Sequence, residues 1–136
     1  MRHGNWGNGI LQDDVADEVR IAFEDACAAG LSVAEATLRV LSNPPWPIDD
    51  VEDACTAHLA LAALQLQSGD LTLEIRQKAI EATTSEWAID RWEGSPEDKV
   101  AARARILSQF QAILERGSCT LEELEQVTYP KEFSLW

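Results

Sequence analysis

The stretch Val51 to Leu66 is apolar on almost every side of a helical projection. Ala54, Cys55, Ala57, Leu59, Ala60, Leu61, Ala62, Ala63 and Leu64 leave it no polar face. A helix of that kind is central, and the rest of the chain must cover it. Asp49, Asp50, Glu52 and Asp53 crowd its start, where the helix dipole favours negative charge.

The remaining segments carry helical periodicity. Leu11, Val15, Val19, Ala22, Phe23 and Ala26 form one stripe at three- and four-residue steps. Asp13, Asp17 and Glu24 project to the other side with Arg20 among them, Asp14, Glu18 and Asp25 flank the stripe, and Gly30 closes the helix. Ser32 and Glu35 spell a capping box for a short helix through Leu38 and Leu41. Asn43-Pro44-Pro45-Trp46-Pro47 breaks it, and residues 43–48 read as a proline-rich loop. After the turn Ser68-Gly69-Asp70, a helix runs from about Leu71 to Ala82, with a second short one around Trp87 and Trp92. Ser95-Pro96-Glu97-Asp98 starts a long helix lined by Val100, Ile106, Leu107, Phe110, Ile113 and Leu114 and ended by Gly117. Thr120 and Glu123 suggest a last capping box, and residues 127–136 read as an extended tail.

No alternating strand pattern of useful length occurs, and no fixed repeat period. The expectation is an all-α fold: a single globular domain, 1–136, of six or seven helices, with a glycine-rich opening (1–10) and an extended C-terminal tail. At 136 residues and 46% hydrophobic the chain is large enough for a core. No apolar run has the length of a bilayer span and no signal core follows Met1, which predicts a cytoplasmic product with no membrane partner. Cys27, Cys55 and Cys119 form no metal or redox motif and read as small hydrophobes of a reducing compartment.

Charge is the main functional signal. Residues 1–75 hold thirteen acids and three bases, and residues 76–136 hold eleven acids and eight bases. Such a field favours cationic partners and disfavours nucleic acid. Asp13 and Asp17 could hold a divalent cation, but acids at a helix start are the simpler reading, so no metal site is assigned. His58 has no second polar partner on its face and reads as a satisfied core histidine. No nucleophile elbow or triad is present, and Gly7 and Gly9 lack the strand and lysine of a phosphate loop. The glycines let the backbone pass close to Trp6 or adopt a positive φ. Of five tryptophans, Trp46 between prolines and the terminal Trp136 are the candidate exposed anchors.

The opening Trp6-Gly7-Asn8-Gly9, followed by Asp13-Asp14 and Asp17, resembles a small bacterial family known as domain of unknown function 4259. The alanine- and leucine-rich helix Ala54 to Leu66 and the segment Ser85-Glu86-Trp87 to Trp92 look like that family's equivalents, and the likeness spans about residues 4–115. The resemblance implies a bacterial source and no catalytic residues, and small acidic proteins of this kind look like immunity partners of secreted toxins. The expectation is therefore a non-enzymatic binding protein without cofactor, a monomer or weak dimer. It would meet the basic cleft of a cognate toxin or effector through Asp13, Asp14, Asp17, Asp49, Asp50 and Asp53, with Trp46 as anchor. The alternatives are a small carboxylate- or metal-dependent hydrolase, or a non-catalytic adaptor or homo-oligomer.

Overall fold

A computed structural model describes residues 9–44, 51–85 and 97–130. Its six helices are α1 (Asp14–Ala28), α2 (Val33–Ser42), α3 (Val51–Gln67), α4 (Leu73–Thr83), α5 (Glu97–Arg116) and α6 (Leu121–Thr128), and no strand occurs among the described residues. The fold is all-α, as expected. The short helix expected around Trp87 and Trp92 lies outside the described residues. The tail boundary needs correction: Val127 and Thr128 are buried in the last turn of α6, not extended.

Local chemistry sets most helix ends. Asp13, Ser32, Thr72 and Thr120 each cap an N-terminus with a side-chain oxygen, satisfying amides that have no partner within the helix. Both expected capping boxes form, Glu35 accepting from the Ser32 amide and Glu123 from the Thr120 amide, each at 2.9 Å. At the end of α1, Gly30 (φ 99°) turns left-handed so that the Leu31 amide can return to the Ala26 carbonyl at 3.2 Å. The helix itself begins at Asp14, later than the apolar stripe suggests. Leu11 and Ile10 are buried just ahead of it.

α3 packs between α1 and α4; α2 lies on α1, α5 lies on α4, and α6 closes the bundle against α3 and α5. Alanines at 57, 60, 62 and 63 are fully buried, and side chains that small let neighbouring helices approach closely from several sides. Gln65 is the polar exception, fully buried in this helix. Its amide donates to Thr37 Oγ1 of α2 at 2.9 Å, and its Oε1 accepts from the Thr72 amide at 2.9 Å and the Thr72 hydroxyl at 3.2 Å. One side chain thereby ties α2 and the cap of α4 to α3. Arg76 of α4 makes a second tie, donating to the carbonyls of Leu114 and Glu115 at 2.6 and 2.7 Å at the end of α5.

The two ends of the described chain close on each other. Ile10 and Leu11 donate their amides to the carbonyls of Val127 and Thr128 at 2.7 and 3.3 Å, satisfying acceptors left over at the end of α6. Gly9 is buried, and a Cβ there would run into the Thr128 carbonyl and Pro130. Gly9 does meet a close approach, but from the chain's other end; the expected neighbour Trp6 lies outside the described residues.

Two stability outcomes follow. Gly9→Ala forces the opening away from α6 and should cost about 1–3 kcal/mol, measured as a lower urea midpoint. Gln65→Leu strands the Thr72 amide and should cost about 2–4 kcal/mol by the same assay. An unchanged midpoint for either variant contradicts the role given to that residue.

Candidate functional site

Among the described residues the acidic candidates divide between interior and surface. Asp13 is 2% exposed and its Oδ1 accepts from the Val15 and Ala16 amides at 2.8 and 3.4 Å, so it serves the helix start. Asp53 is 4% exposed and is not without a partner. Both residues are corrected from surface groups to interior ones. Asp49, Asp50 and Trp46 lie outside the described residues, as does Trp136. Of the expected set, Asp14 is exposed and Asp17 half-buried, both on α1.

The solvent face of α1 carries more acid than those two. Glu24 and Asp25 are exposed and Glu18 is half-buried, and Arg20 is the one base within the helix. Arg20 is clamped: its Nε and Nη2 donate to Asp17 at 3.1 and 2.9 Å, and its Nη1 donates to Glu24 at 2.9 Å. The Asp17 hydrogen bond is the main reason its pKa rises above the ordinary arginine value. Even so, the pairing leaves the helix face strongly negative. Glu18 Oε1 is buried with no hydrogen-bond partner.

Two side chains that the sequence reading passed over lie on this face. Ile21 is 47% exposed and Tyr129, just past the end of α6, is 38% exposed. Burial chiefly raises the Tyr129 pKa, and the charges of Arg20, Asp17 and Glu24 act on its hydroxyl. Ile21 had a sequence signal, because it falls off the apolar stripe of its own helix. Tyr129 had none, since its position depends on how α6 docks.

Two carboxylates elsewhere are engaged at helix starts. The Ser32 backbone amide holds Glu35 below the usual carboxylate range, and the Thr120 amide, with Arg116 next, does the same for Glu123. Arg103 is buried in α5 and is not without a partner. Among the described residues no group of three or more His, Cys, Asp or Glu side chains could hold a metal ion. Cys55 is buried and donates weakly to the Ala82 carbonyl at 3.6 Å; Cys27 and Cys119 are partly buried against the core, and burial pushes the Cys119 thiol up.

His58 is half-buried on α3, a less interior position than the core histidine expected. Burial, with the Lys78 charge next, lowers its pKa below the ordinary 6.5, against an opposing effect of Glu81. No protein-family model, curated protein or solved structure matches the chain. None of the described helices is long and apolar enough to cross a membrane.

The His58 environment gives a signed pH dependence. The neutral ring is favoured in the fold, so its contribution is present above about pH 6.5 and is lost as pH falls through the lowered value. Wild-type urea midpoints should decline as the pH drops from about 7 to about 5.5, and His58→Gln should flatten that decline. Equal slopes in both proteins would remove His58 as the cause.

Proposed function

We propose that the protein is a cytoplasmic, non-enzymatic binding protein, an immunity protein that neutralises a cognate bacterial toxin by covering a basic active-site cleft. The observation that carries this reading is the solvent face of α1. There Asp14, Asp17, Glu18, Glu24 and Asp25 accompany a single base, Arg20, already clamped between two of them. A surface of one sign accelerates encounter with a partner of the other and repels nucleic acid and anionic lipid. The net charge of −13 extends that field over the molecule. Asp13 and Asp53 leave the proposed contact set because they are interior. Asp14 and Asp17 stay, joined by Glu24 and Asp25.

The test is binding to the product of the adjacent gene. The expected result is a complex whose association rate falls steeply with salt, and falls at least roughly tenfold in a variant carrying Asp17→Asn, Glu24→Gln and Asp25→Asn. A neighbour that fails to bind, or binding at a rate indifferent to both salt and the triple variant, sinks the reading.

Leu73 and Leu121, 77% and 71% exposed at the first positions of α4 and α6, favour a second reading, an adaptor or homo-oligomer. Light scattering at two salt concentrations separates the two, since association through apolar surface survives added salt.

A further inference from the structure

Ile21 is exposed on the side of α1 turned away from the core stripe of Val15, Val19, Phe23 and Ala26. Its neighbours three and four residues away in both directions are Asp17, Glu18, Glu24 and Asp25. On a helix these are the positions that surround a side chain, so an apolar group stands inside a ring of carboxylates. Tyr129, 38% exposed just past α6, feels the charges of Arg20, Asp17 and Glu24 at its hydroxyl. None of the other exposed leucines is ringed in this way. Leu38 has Glu35 as its sole carboxylate at such spacing, Leu121 has Glu125, and Leu73 has Asp70, which precedes its helix.

An apolar centre with a charged rim is the arrangement in which a rim excludes water from an anchor and steers its partner. We infer that Ile21 is the apolar anchor of this face, and that its occupant is a cationic protein segment presenting an apolar side chain between lysines or arginines. The inference rests on the acidic-surface reading above and adds the site and the partner's chemistry. Charge complementarity selects the occupant. A second copy related by a two-fold axis would set Asp17, Glu24 and Asp25 against the same residues, and nucleic acid or an anionic membrane would meet the same repulsion.

The test uses the full chain and two synthetic helical peptides of equal length and lysine content, one with leucine and one with serine on its second face. Wild type should bind the lysine–leucine peptide about five- to tenfold more tightly than the lysine–serine peptide, the gain expected from covering a half-exposed isoleucine. Ile21→Ser should erase that preference with no change in melting temperature, while Leu38→Ser and Leu73→Ser keep it. If Ile21→Ser retains the preference, the anchor assignment is overturned and the acidic-surface reading stands. If wild type binds neither peptide at low salt, that reading falls and the anchor with it.

Discussion

A helix without a polar side is stable in water only when other helices surround it, and that requirement organises this fold. α3 supplies the floor on which α1 and α4 pack, and α6 returns to close it. Burial alone fixes no unique arrangement, because apolar contacts are non-directional. Direction comes from Gln65, whose amide has fixed donors and an acceptor and is fully buried. Its bonds to Thr37 and Thr72 constrain α2 and α4 relative to α3. A slip of any of the three would leave polar groups unpaired in an apolar interior, which costs more than the bonds themselves contribute.

The same division separates what was legible in the sequence from what was not. Helix ends were readable, because capping is chemistry between residues three apart: Ser32 with Glu35, Thr120 with Glu123, and glycine after α1 and α5. The all-α class and the central place of α3 followed from periodicity. Gln65 could not be singled out, because its partner in α2 is 28 residues away and its meaning appears only after packing. The pairing of Ile10 and Leu11 with the end of α6 was equally hidden, since no local pattern marks amides that will cap a helix more than a hundred positions later. The glycine at position 9 suggested a close approach to Trp6, whereas the structure brings Thr128 and Pro130 against it.

Candidate site residues were less legible than the fold, and Asp13 illustrates the reason. Extending the first helix back to Leu11 puts Asp13 within its first turn, on the outward side. The helix begins one residue after Asp13, so the same carboxylate turns back on the Val15 and Ala16 amides and is buried. A shift of a few residues in a boundary therefore converts a recognition group into a cap. Ile21 is the converse case. An isoleucine off the apolar stripe of an otherwise regular amphipathic helix is visible in the sequence, but its exposure becomes decisive only when the helix is known to have a single buried side.

Negative charge in this chain thus serves two distinct ends, distinguished by geometry. Asp13, Glu35 and Glu123 are committed to backbone amides at helix starts, and for Glu35 and Glu123 those hydrogen bonds favour the ionised form. These residues would be expected in a stable helical protein with any function. Asp25 and Glu24 have no such duty at a helix start, and they stand with Asp17 and Glu18 around an exposed apolar residue. Like charges that close repel one another and weaken the helix that bears them. Arg20 relieves part of that repulsion by bridging Asp17 and Glu24, yet the helix keeps its surplus. A solubilising coat could spread the same charge over the surface at less cost to the helix. Concentration around Ile21 is the arrangement expected of a surface shaped to receive positive charge.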